Sequence, residues 1–161
     1  MNSFVMIVLA FVATFALHSC SSSSFSVIDM EKNYDITLQR TACRGNCPVY
    51  SLSAQSDGTI VYEGFLNVQQ KGKRIGKISA DSVSAVLKDL HTMQFETMPA
   101  EFTHQNITDM PTVIFTVMQT NRGEIRGRKI LDYQGDKSTP SALREIYKRM
   151  DGWMSLIQWQ E

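Results

Sequence analysis

The sequence predicts an α+β fold, an antiparallel sheet with two helices packed on one of its faces, in the chain order ββββαββα and preceded by a signal peptide. Three observations predict it. Period-two alternation of apolar and polar residues recurs from Tyr34 onward, broken by turn residues. Two later stretches carry apolar residues at helical spacing with legible ends. The length of 161 residues fits one domain, and 43% hydrophobic residues suffice for a packed core. Sixteen basic and sixteen acidic side chains give a net charge of zero, which removes the strongly basic signature of a nucleic-acid-binding domain.

The first element is the export signal. No Asp, Glu, Lys or Arg occurs before Asp29, and Phe4 to Leu17 reads FVMIVLAFVATFAL. That run is too short for a relaxed membrane-spanning helix of about 20 residues and suits the apolar core of a secretory signal. It ends in Leu17, His18, Ser19 and Cys20, followed by Ser21 to Ser24. This arrangement resembles the lipobox of bacterial lipoproteins, in which the Cys receives lipid and becomes the first residue of the mature chain; acyl chains then hold the protein on a bilayer. His18 and the lack of a basic residue before Phe4 depart from the pattern. An ordinary signal cut nearby and an uncleaved N-terminal anchor are the competing readings. The expected division is residues 1–19 as lipoprotein signal peptide, 20–33 as lipid-anchored Cys20 and flexible tether spanning roughly 20 Å, and 34–161 as a single domain.

Within that domain Tyr34, Ile36 and Leu38 alternate with Asp35, Thr37 and Gln39, predicting a half-buried strand. After a cysteine-bearing turn, Tyr50, Leu52 and Ala54 repeat the alternation, Asp57-Gly58 supplies a hairpin turn, and Ile60 to Phe65 returns. A further extended pair is expected near Leu66–Gln70 and Lys73–Ile78, exposed at an edge. Ser79 is placed to cap a helix whose inner face is Val83, Val86, Leu87 and Leu90, with Asp81 at its dipole and Ile78 stapling onto Val83. Thr112 to Thr120 alternates little and predicts a strand covered on both faces; Asn121–Gly123 turns it into Glu124–Leu131. Thr139 and Pro140 are expected as cap and first residue of the second helix, with Leu143, Ile146, Tyr147, Met150, Trp153 and Met154 inward.

Three cysteines are an awkward count for an exported chain, but once Cys20 carries lipid, Cys43 and Cys47 remain as an even pair in an oxidising compartment. Arg44, Gly45 and Asn46 suit a turn that brings the two together. A structural disulfide is the first reading and a redox-active pair the second. Against the second stand three intervening residues instead of two and flanks that look extended; for it stands Arg44, which would lower a thiol pKa. A zinc site would need more ligands than His91 and His104 add, so no metal and no cofactor is expected.

Beyond the thiols no catalytic constellation is legible, so the chain reads as no enzyme: GxSxG, HExxH, a phosphate-cradling glycine loop and EF-hand spacing are all missing from the sequence. Asp109 reads as a turn former before Met110-Pro111, and His91 and His104 as surface residues. Lys73 and Arg74 in one extended segment, with Arg122, Arg126 and Arg128 in another, would form an anion-binding patch if the segments adjoin, although edge strands carry such charges simply to resist aggregation.

The segments CRGNCPVYSL, DGTIVYEG, TDMPT and LDYQG ahead of a Pro-started helix, with a Trp near the C-terminus, together resemble domain of unknown function 6438 over Asp35 to Trp159. What the resemblance implies is an envelope domain, frequently behind lipoprotein signals and typical of bacteria of the Bacteroidota type; it supplies no catalytic residue. Ser21 after the anchor resembles lipoproteins sorted to the outer membrane. The expectation is therefore a lipid-anchored binding or scaffold module on the periplasmic face of the outer membrane, with a structural disulfide, facing another envelope protein or an anionic glycan and no nucleic acid. A thiol–disulfide redox protein using Cys43 and Cys47 is the alternative.

Overall fold

The computed structural model describes residues 33–103, 109–134 and 136–160. The signal peptide, Cys20, most of the tether and His104 lie outside the described residues. Alternating sequence becomes one sheet: β1 (Asn33–Arg40), β2 (Val49–Gln55), β3 (Thr59–Leu66) and β4 (Gly72–Lys77) precede helix α1 (Ala80–Thr92). A 3-10 turn (Phe95–Thr97), β5 (Glu101–Phe102), β6 (Thr112–Asn121), β7 (Glu124–Tyr133), helix α2 (Ser141–Trp153) and β8 (Gln158–Trp159) follow. Their spatial order is β5-β7-β6-β1-β2-β3-β4-β8. All neighbours are antiparallel except β5 and β7, which run parallel, so the sheet is mixed.

Residues paired directly across antiparallel strands point to the same face. Ile36, Leu38, Leu52, Ala54, Ile60, Val113, Phe115 and Ile130 are all fully buried on one such face. Both helices cover it, through Val83, Val86, Leu87 and Leu90 of α1 and Leu143, Ile146, Tyr147, Met150 and Trp153 of α2. Each fully buried large side chain contributes about 1.5–3 kcal/mol, and Phe115 also stacks edge-on with Phe95 at 5.6 Å. The described residues thus enclose one hydrophobic core. The opposite face is polar in its middle, where the hydroxyls of Thr37 and Ser53 share a hydrogen bond of 2.7 Å.

The main elements follow the sequence pattern, with four corrections. The sheet is not purely antiparallel, because the two-residue β5 adds to one edge parallel to β7, and the two-residue β8 extends the other edge; pieces that short carry no period to read. The extended stretch expected at Leu66–Gln70 is instead the end of β3 and a loop, with β4 pairing directly onto β3. β6 is covered on one face only, Val113, Phe115 and Val117 being buried and Ile114, Thr116 and Met118 half-exposed. Finally, Thr139 does not cap α2, whose N-cap is Pro140 without a side-chain bond. The Thr139 hydroxyl donates instead to Asp132 Oδ1 at 2.8 Å, since a buried carboxyl competes better for it than a helix end open to water. In α1 the Ser79 cap forms as expected, accepting from the Asp81 amide at 3.2 Å.

Candidate functional site

The register places one row of inner-face residues across one end of the sheet: Asp132 opposite Val113, Val113 opposite Arg40, Arg40 opposite Tyr50, and Tyr50 opposite Gly64. Loops at the same end carry most of the motif segments. Cys43 and Cys47 form a disulfide with their alpha carbons 5.7 Å apart. Its loop is fastened to the entry of β6: the Thr41 amide donates to Thr112 O at 3.1 Å, the Arg44 amide to Asp109 O at 3.3 Å, and the Arg44 side chain reaches Asp109 Oδ2 at 3.3 Å. The Met110 amide donates to Tyr133 Oη and the Gln134 amide to Pro111 O, both at 3.0 Å, which joins the TDMPT and LDYQG segments. Asn67 Nδ2 donates to Cys47 O at 3.2 Å and brings in the loop after β3. Asn67 and Asp109 both hold left-handed backbone, which these two residue types adopt at low cost.

Beneath the loops lie two polar clusters that α2 holds in place. In the first, Arg40 Nε donates to Asp151 Oδ1 at 3.1 Å and to Tyr50 Oη at 3.2 Å, while its Nη2 donates to Asp151 Oδ2 and Tyr50 Oη donates to Asp151 Oδ1. Burial and then the Asp151 carboxylate push the Tyr50 phenol well above its ordinary value. Burial works to lower the Arg40 pKa, and Asp151 outweighs it and raises it. The cluster is thus a set of paired groups under β1 and β2. In the second, Asp132 is fully buried and its pKa is raised, chiefly by burial, with Thr139 and the charge of Arg144 opposing. Asp132 Oδ2 and Tyr147 Oη are both buried without a hydrogen-bond partner among the described residues. Burial, and then the nearby Asp132 charge, pushes the Tyr147 phenol far up.

Beside the disulfide a groove of about 470 Å³ opens, walled by Pro48, Tyr50, Tyr62, Asn67, Gln70 and Trp159. Gly64 shapes it. A Cβ there would sit 2.0 Å from Gln70 O, so only glycine lets the loop fold over β3, where Tyr62 Oη donates to Gln70 O at 3.0 Å. Arg74 Nη1 donates to Gln70 Oε1 at 3.0 Å, and its guanidinium lies 4.7 Å over the Trp159 ring. A larger but shallow hollow of about 580 Å³ lies on the helices, lined by Ser82, Ala85, Arg149, Gly152 and Leu156. The groove is the stronger candidate, because it combines aromatic walls with convergent amide groups.

The sequence-predicted residues are distributed as follows. The disulfide is at the centre of this end, and Asp109 is a turn residue paired with Arg44. His91 is exposed in the last turn of α1. The expected basic patch is not assembled: β4 and β7 are separated by β3, β2, β1 and β6, about 24 Å at strand spacing. Lys73 lies opposite Glu63, Arg74 is on the other face against Trp159, Arg126 pairs with Glu124 at 3.0 Å, and Arg128 Nη2 donates to Met98 O. Arg122 sits in the turn between β6 and β7 with φ 49°. Sequence reasoning missed Arg40, Asp151 and Asp132. Asp132 did leave a signal, a carboxylate two residues after Ile130 on the buried side of a strand. Asp151 left none, since an Asp beside Met150 on a helix reads as solvent-facing.

Among the described residues no helix is long and apolar enough to cross a membrane, and no three His, Cys, Asp or Glu side chains group as metal ligands. Residues 34–154 match the family model described as Domain of unknown function (DUF6438). No curated protein and no solved structure matches the chain.

Proposed function

We propose, since this chain belongs to the family of domain of unknown function 6438, that it is an exported, lipid-anchored binding module whose working surface is the disulfide end of its sheet. The observation that carries the reading is convergence. Three motif segments distant in sequence, around Cys43–Cys47, Asp109–Thr112 and Leu131–Gln134, are hydrogen-bonded to one another there, and Asn67 ties the groove loop to them. In the polar row beneath, Arg40 and Tyr50 are paired with each other and with Asp151, which suits a platform for recognition more than a reaction centre. The groove offers aromatic rings and the amides of Asn67, Gln69 and Gln70, chemistry that fits an extended segment of another envelope protein. Anchoring would run through the Cys20 thiol on the periplasmic face of the outer membrane of a Bacteroidota-type bacterium.

Photo-crosslinking in intact cells tests this. A crosslinker at Gln69, on the groove, is expected to capture a discrete protein, whereas one at Lys88, exposed on α1, captures none. Equal capture from both positions, or none, would refute the reading, and capture of a polysaccharide would replace the protein partner by a glycan. For the anchor, the N-terminal peptide is expected to carry acyl mass on Cys20, and Cys20→Ala to release the chain from membranes.

A second reading is thiol–disulfide exchange. It draws on the Gly45 amide, which donates to Cys43 Sγ at 3.2 Å and would stabilise a thiolate there after reduction. A redox titration decides between them. A structural bond stays oxidised at potentials that reduce exchange-active pairs.

A further inference from the structure

Strand β7 stands at one side of the sheet with most of its outer edge bare. Among the described residues β5 pairs with Leu131 and Asp132 alone, which leaves the stretch from Glu124 to Lys129 outside that pairing. One bond fixes the direction of the backbone groups along it. The Leu131 amide donates away from β6, to Ala100 O at 2.9 Å. Residues of an antiparallel pair alternate between exchanging bonds with the partner strand and turning away from it. Ile125, Gly127 and Lys129 therefore aim both N–H and C=O outward, whereas Glu124, Arg126 and Arg128 bond to β6.

The partner that satisfies such an edge is an extended backbone, and the pattern of this one is self-complementary. Edge strands commonly carry Lys and Arg so that copies repel each other. Here Ile125 is 64% exposed, and Glu124 and Arg126 flank it on the opposite face, both more than half exposed. A two-fold axis through Ile125 sets two β7 strands antiparallel with Ile125 opposite Ile125 and Glu124 opposite Arg126, so opposite charges meet on both sides of the axis. Gly127 then faces Gly123, and no side chain obstructs that approach. On the other face Ile125 is accompanied by half-exposed Met118, which fills the space over Gly127. The match ends there, because one residue further Arg122 would meet Arg128. The edge closes at the same point, where Arg128 Nη2 donates to Met98 O and the chain leading into β5 runs alongside.

We propose that β7 pairs with β7 of a second copy along Gly123–Gly127 and joins the two eight-stranded sheets into one. The Ile125 amide of each copy donates to the Ile125 carbonyl of the other at the centre of the seam. The groove, walled by residues of β2, β3 and β8, lies toward the far side of the sheet from β7. Pairing through β7 thus leaves the groove of each copy open. The proposal goes beyond the reading of that groove and depends neither on it nor on the anchor.

The test follows residues 21–161, which contain the whole hydrophobic core, by sedimentation and amide hydrogen exchange over a range of protein concentrations. Sedimentation is expected to pass from monomer to dimer as concentration rises. The Ile125 and Gly127 amides should slow over the same range, while the Arg126 amide, already bonded to β6, should not change. Glu124→Arg and Arg126→Glu each set like charges across the seam. Either alone is expected to weaken association about tenfold, since the two-fold axis counts each pair twice. An equimolar mixture of the two variants restores opposite charges across the seam and is expected to associate as the parent chain does. Both side chains are exposed, so neither substitution touches the core. A chain that stays monomeric at every concentration overturns the proposal and leaves the edge to a strand of another protein. A dimer indifferent to both substitutions, or a mixture that fails to regain association, overturns it too and places the contact on another surface.

Discussion

At the Arg40 end of β1 a guanidinium, a carboxylate and a phenol are locked together under a disulfide loop, with the Arg40 and Asp151 side chains only 18% and 31% exposed. At the Asn33 end Lys77 pairs with Asp57 at 3.5 Å and Arg126 with Glu124 at 3.0 Å, every partner more than half exposed. The residue types are the same and the energetics are not. Water screens the second set until each pair is worth little, whereas in the first set a charge that loses its partner stays where water reaches it poorly. One end of the sheet is therefore built to hold a shape, and the other faces solvent.

The largest effect should come from breaking the cluster. Asp151→Ala leaves Arg40 and the Tyr50 hydroxyl without their shared acceptor and is expected to cost about 3 kcal/mol, read as a shift in the urea midpoint at constant slope. Replacing Arg40 and Asp151 together by apolar residues should cost much less, because no orphaned charge remains. A double variant as damaging as Asp151→Ala would show that packing, not charge compensation, sets this end apart.

Next comes the staple. Cys43→Ser with Cys47→Ser removes the short covalent loop and is expected to cost about 2 kcal/mol. The exchange of backbone amides should accelerate in Thr41–Pro48 and in the Asn67 loop that donates to Cys47 O, and stay unchanged at the Asn33 end. Uniform acceleration over both ends would erase the distinction between them.

How much of this was legible follows from what each feature depends on. Strand alternation, the Asp57-Gly58 hairpin and the Ser79 cap depend on neighbours in sequence, and they read correctly. So did the disulfide, whose partners are separated by one turn. The Arg40–Asp151 contact joins residues 111 positions apart, and β5 and β8 form only because tertiary neighbours hold two residues extended. Such features have no local period, so the groove and the polar row beneath it were invisible even though the motifs that border them were noted. The basic patch hung on two segments adjoining, a condition that no local pattern decides, and the strand order puts four strands between them.

Asp132 gives a smaller, pH-dependent effect. Its folded pKa lies above the value near 3.8 of a free Asp, for burial disfavours the charged form. The stability that goes with the protonated carboxyl is therefore fully present below about 3.8 and is lost as the pH rises through the raised folded value. Arg144 and Arg40 oppose the shift and Asp136 adds to it. Asp132→Asn keeps an acceptor for Thr139 and supplies a donor toward Tyr147 Oη. It is expected to match or exceed the parent chain in stability at neutral pH and to flatten the decline over that window. Urea midpoints measured across the window check this; a variant less stable than the parent at neutral pH would mean that the Asp132 charge is compensated in place.

The smallest effect belongs to the Asn33 end. Lys77→Ala removes an ion pair with both partners well exposed and should change stability by no more than about 0.5 kcal/mol. Arg126→Ala should be equally silent in urea, since its partner Glu124 is solvated with or without it. A loss above about 1 kcal/mol from either substitution would show that these pairs are shielded from water more than their exposure implies.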